Sequence, residues 1–97
     1  MRASDTRDGF CIFIDTVCEG RVPLWWDEQG RPLVYATERE AQREIADDLR
    51  DRLQQFLNGE REFEDAMTVE EYILPVSVLP DGSVTTAEGD HFLPRAS

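Results

Sequence analysis

The chain has 97 residues, enough for one hydrophobic core and no second domain. Its 21 Asp and Glu residues against 10 Arg and no Lys give a formal net charge of −11, which excludes a phosphate-binding surface built from clustered basic residues. With 40% hydrophobic and 32% charged residues it is too apolar for a disordered chain, and charge interrupts every apolar run before it reaches the length of a membrane span.

Residues 1–8 are polar and aperiodic and are expected to be a mobile tail, as are 95–97 at the other end, so the domain itself is expected over 9–94. The start has no apolar stretch of the secretory kind, and the expected compartment is the cytoplasm. From Gly9 the run Phe10-Cys11-Ile12-Phe13-Ile14 is apolar at every position and continues through Cys18, the pattern of a strand buried on both faces. Cys11 and Cys18, seven apart on one strand, point to opposite faces, and free thiols are expected.

Residues 22–26 and 32–36 flank Asp27-Glu28-Gln29-Gly30 and read as a hairpin, with Pro23 and Pro32 restricted to strand ends, bulges or outward edges because they lack an N–H. Thr37-Glu38-Arg39-Glu40 has the form of a capping box. Apolar residues then recur at Ala41, Ile45, Leu49, Leu53, Phe56 and Leu57 on one helical face until Asn58-Gly59, so a helix is expected over about 38–57. Its charges interleave by sign, Asp48 and Arg52 forming a favourable i,i+4 pair.

Residues 58–71 carry Glu60, Glu62, Glu64, Asp65, Glu70 and Glu71 against Arg61 alone, which makes this crossing the acidic landmark of the chain. Phe63, Ala66, Met67 and Val69 give it something to bury, and a short helical turn is expected within it. Tyr72–Leu79 is the second strong strand, Pro80-Asp81-Gly82-Ser83 a turn, and Val84–Thr86 a short returning strand, with Phe92 and Leu93 packing back at the end. The resulting expectation is an α+β domain, a four- to five-stranded, mostly antiparallel sheet with one long helix on one face.

Chemistry-bearing groups are sparse. One histidine, His91, stands far from both cysteines, and Cys11 lies between Phe10 and Ile12, where burial suppresses thiolate formation. No CxxC or HxxxH pair supports zinc, and the oxygens of Asp81, Ser83, Glu88 and Asp90 lack the spacing of a calcium loop. Asp15 is the one carboxylate flanked by strong strand residues, and it reads as outward-facing. No catalytic residue, metal or cofactor is expected.

Trp25-Trp26 is the more informative feature. Strand alternation sends Val22, Leu24 and Trp26 inward and leaves Trp25 outward beside Arg21 and Pro23, a candidate protein-binding face. The leading expectation is a non-catalytic protein-binding or regulatory domain, by capture of a partner protein or by self-association, with no direct contact to nucleic acid or membrane. The alternative is an acidic nucleic-acid mimic using Glu60, Glu62, Glu64 and Asp65, and a small carboxylate enzyme ranks last.

Overall fold

A computed structural model describes residues 6–95. The tail expectations for 1–5 and for 96–97 lie outside the described residues. In chain order the elements are β1 (Arg7–Thr16), β2 (Gly20–Pro23), α1 (Glu38–Leu57), α2 (Phe63–Met67), β3 (Tyr72–Val78), β4 (Val84–Thr86) and β5 (His91–Phe92). The strands form one five-stranded, barrel-like antiparallel sheet in the order β2-β1-β3-β4-β5, so the fold is α+β. The runs of 10–14 and 72–79 supply its two longest strands, which pair from Arg7 opposite Val78 to Phe13 opposite Tyr72.

Two strand boundaries correct the sequence reading. Arg7 and Asp8 belong to β1 and not to a tail, because β3 is long enough to pair with them and backbone hydrogen bonding is indifferent to their polar side chains. At the other end β1 stops at Thr16, whose hydroxyl donates to the Gly20 carbonyl at 3.0 Å and accepts from the Glu19 N–H at 3.0 Å. Cys18 therefore sits exposed in a turn and not on the strand, and Val17 beside it is fully exposed.

The expected hairpin is present, but its arms are not two strands. β2 pairs with β1, and the chain then leaves the sheet after Leu24, whose N–H donates to the Ile12 carbonyl at 2.9 Å. It returns where Phe10 and Tyr35 exchange hydrogen bonds of 2.9 and 2.8 Å. Between these anchors, residues 25–34 fold back on themselves through a Trp26–Pro32 bridge, an Asp27 N–H to Arg31 carbonyl bond of 2.8 Å and a Leu33 N–H to Trp25 carbonyl bond of 3.1 Å. This excursion lies close to the sheet at its root. A Cβ on Gly9 would collide with the Val34 side chain, so glycine is required there.

One buried cluster lies on one sheet face, where Cys11, Phe13, Val76, Val78 and Val84 are buried and Val34, Tyr72, Leu74 and Phe92 pack around them; Ile12 on the opposite face, Ala41 on α1 and Ala66 on α2 are buried as well. The Phe13 ring lies 5.6 Å from that of Phe92 and 6.3 Å from that of Tyr72. Pro75 sits inside β3 without cost: Phe10 opposite it directs its N–H and C=O to Tyr35, so Pro75 turns its backbone toward β4, which has already ended at Thr86. Arg21 ties β2 to β3 and to the turn between β4 and β5, donating to Tyr72 Oη at 3.1 Å, to Asp90 at 2.9 Å and to Glu88 at 3.2 Å. Tyr72 Oη in turn donates to Asp15, which is exposed.

Helix α1 begins as the capping box requires, with Thr37 Oγ1 accepting from the Glu40 N–H at 3.1 Å, although the Glu40 carboxylate reaches back to the Ala36 N–H at 3.1 Å and not to that of Thr37. It ends in a Schellman motif, with Gly59 at φ +81° and its N–H on the Phe56 carbonyl, and the Glu60 N–H on that of Gln55. The helix touches β1, β3 and α2. Of its apolar stripe only Ala41 is fully buried; Ile45, Leu49, Leu53 and Phe56 are half-buried and Leu57 is exposed. No helix among the described residues is long and apolar enough to cross a membrane.

An acidic and aromatic trough as candidate functional site

The excursion and α1 face one another across a groove of about 350 Å³. Trp25, Trp26, Leu33 and Tyr35 form one wall, and Glu44, Asp47, Asp48 and Asp51 form the other. These four acids stand at i, i+3, i+4 and i+7, which places them on one stripe of the helix. A second groove of about 420 Å³ shares Trp25 and Asp48 with the first and runs on past Ile14, Leu24 and Arg52 to Asp65, Thr68, Glu70 and Glu71. Together they make one trough along α1 with Trp25 near its middle.

The two halves of the trough differ in charge balance. In the second, Arg52 pairs with Asp48 at 3.1 Å and with Glu71 at 3.6 Å, and it donates to the Thr68 carbonyl, linking α1 to the segment before β3. Its side chain is 14% exposed and that of Glu71 7%, so this pair is a nearly buried floor in which one cation is shared by two carboxylates. In the first half Asp47 meets Arg50 at 3.3 Å in a well-exposed pair, while Glu44 and Asp51 form no ion pair among the described residues. The aromatic wall beside them carries an unused donor: the Tyr35 hydroxyl is buried with no hydrogen-bond partner among the described residues. Burial, with the Glu44 carboxylate and Cys11 nearby, pushes its pKa up to about 12 and keeps it protonated. The Arg95 guanidinium lies 4.0 Å from the Trp26 ring centroid, an internal cation on an indole face.

The face expected from Trp25, Arg21 and Pro23 is not formed. Pro23 is buried opposite Phe13 and Arg21 shares that side of the sheet, so strand parity is the reverse of the sequence reading. Trp25 is half-buried in the trough, because β2 ends at Pro23 and alternation no longer applies to the excursion. The acidic residues of 60–71 also divide: Asp65, Glu70 and Glu71 line the trough, Asp65 bound to Arg61 at 2.6 Å, whereas Glu60, Glu62 and Glu64 stand outside it. The acids at 44, 47, 48 and 51 were the missed signal. Their helical spacing is visible in the sequence, but Arg43, Arg50 and Arg52 interleave with them and mask it.

Other chemistry-bearing groups are accounted for by structure. Cys11 is buried and its pKa is pushed up to about 12, which leaves no thiolate at neutral pH. Ser83, Asp81 and His91 do meet, with Ser83 Oγ donating to Asp81 at 2.6 Å and His91 Nε2 lying 3.1 Å from Ser83 Oγ. The single hydroxyl proton goes to Asp81, so His91 must be the donor in its contact, the reverse of a general base. Ser83 is also fully buried. Among the described residues no group of three or more His, Cys, Asp or Glu side chains is placed to hold a metal.

Compared with protein-family models, with curated proteins and with solved structures, the chain matches none of them. Its function therefore has to be argued from the chemistry of the trough.

Proposed function

We propose that this protein is a non-catalytic binding domain that captures a partner protein through a cationic side chain seated between the indoles and the acidic stripe of α1. The supporting observation is the first half of the trough, where Trp25, Trp26 and Tyr35 face Glu44, Asp47, Asp48 and Asp51. Aromatic faces attract guanidinium and ammonium groups, carboxylates pair with them, and the partly dry wall strengthens both attractions. Arg95 on Trp26 is the same contact made within the chain.

A net charge of −11 repels nucleic acid and anionic lipid surfaces and favours approach by a basic protein. An acidic mimic of nucleic acid would need an uninterrupted row of carboxylates; Phe63, Met67 and Val69 interrupt the 60–71 segment, so the structure lends that reading no support. The proposed compartment is the cytoplasm, since the exposed, unpaired Cys18 suits a reducing environment.

The test is tryptophan fluorescence during titration with an Arg-rich peptide free of apolar residues, compared with the same peptide carrying citrulline. The Arg peptide should shift the emission and the citrulline peptide should not. Glu44→Gln combined with Asp51→Asn should weaken binding about tenfold, and raised salt should weaken it further. Equal response to both peptides, or undiminished binding by the variant, removes this reading.

A further inference from the structure

Helices α1 and α2 carry a second surface that none of the trough-lining residues shares. Leu57, Phe63, Met67 and Val69 are 71, 54, 50 and 47% exposed. Phe63 and Met67 stand one turn apart on α2, and the Phe63 ring packs edge-on against Phe56 at 5.2 Å; Leu57 and Val69 lie close to these in sequence. Scattered exposed apolar side chains are ordinary on a soluble surface, but several gathered in one short, otherwise charged segment, with Phe63 and Met67 side by side, mark an interaction site. The surrounding segment contributes Glu60, Glu62 and Glu64, all exposed. Its one cation, Arg61, is already engaged by Gln55 at 2.7 Å and Asp65 at 2.6 Å.

We propose that this patch docks an amphipathic helix of a partner protein, apolar along its contact stripe and basic along its flanks. Charge selects this occupant. A second copy of the chain would bring the same carboxylates against themselves, and an anionic lipid surface would be repelled in the same way. A helix with Leu on one face and Lys or Arg beside it covers the apolar ridge and pairs with the exposed glutamates at its rim. The site is independent of the trough, and the two can fail separately.

The probe is a synthetic Leu/Lys amphipathic helix, with two controls in which Glu replaces Lys or Ser replaces Leu. Binding to the full chain is measured by calorimetry, and circular dichroism confirms the fold of each variant. The Leu/Lys peptide should bind, and both controls should bind at least about tenfold more weakly. Phe63→Ser with Met67→Ser should lose a similar factor, and Met67→Gln alone should lose part of it should the double variant not fold. The trough variant, Glu44→Gln with Asp51→Asn, should bind the Leu/Lys helix as the parent does. Absence of binding, undiminished binding by the Phe63 and Met67 variants, or a loss confined to the trough variant would overturn the proposal. So would a dimer seen by sedimentation that Met67→Gln dissolves, since the occupant would then be a second copy.

Discussion

The sheet and the α1 side of the molecule treat charge in opposite ways. From β2 the Arg21 side chain reaches Tyr72 and the turn between β4 and β5, where Glu88 and Asp90 share its charge. Along the first half of the trough, Glu44 and Asp51 stand on one helical stripe with Asp47 and Asp48 and form no ion pair among the described residues. Like charges at i,i+3 and i,i+4 oppose helix formation, so the stripe is a cost to the fold that the sheet does not carry. Contacts within the fold explain the first arrangement; the second is the feature that the proposed cationic ligand would match.

The comparison can be sharpened by substitution. Phe13 is fully buried against Tyr72 and Phe92, and Phe13→Ala should lower unfolding free energy by about 3–5 kcal/mol in urea denaturation. A loss below 1 kcal/mol would mean that the sheet interior is not the stabilising core.

Alkaline titration gives an intermediate effect at the boundary between the regions. Tyr35 titrates near 12 in the folded chain against 10.0 for an unperturbed tyrosine, so its stabilising contribution is complete below about pH 10 and is lost as pH rises toward 12. The thiol of Cys11, raised from 9.0 to about 12, acts in the same direction. Stability measured between pH 9 and 12 should fall less steeply in Tyr35→Phe than in the parent, and an unchanged slope would place the hydroxyl in solvent.

The smallest effect has the opposite sign. Glu44→Gln with Asp51→Asn should raise stability by about 0.5 kcal/mol at low ionic strength, through relief of like-charge contacts. The gain should vanish in high salt. If the double variant is instead clearly less stable, those carboxylates are structural and the contrast between the two regions collapses.

Local chemistry was legible wherever neighbouring residues decide the outcome. The Thr37 cap, the apolar period of α1 and the Asn58-Gly59 stop predict the helix that is present, and the turn at Asp27–Gly30 lies where its residues place it. The short α2 fits the helical turn expected within 58–71. What the sequence could not convey was pairing: whether Arg7 and Asp8 find a partner depends on the length of β3, far along the chain. The facing of Arg21, Pro23 and Trp25 depended in the same way on where β2 leaves the sheet. The candidate site was half visible, its acidic wall in helical spacing and its aromatic wall in the Trp pair, but only tertiary folding sets one opposite the other.

The excursion that carries the aromatic wall is fastened at both ends to the same strand, Leu24 on Ile12 and Tyr35 on Phe10. Its tip can therefore vary in length and composition while the strand register beneath stays in place. In that respect it is a loop on a fixed frame: the exposed Glu28 and Gln29 at its tip can change at little cost to the domain, whereas Pro32 is buried and Gly30 accepts from the Arg95 N–H, so the stem is held in place.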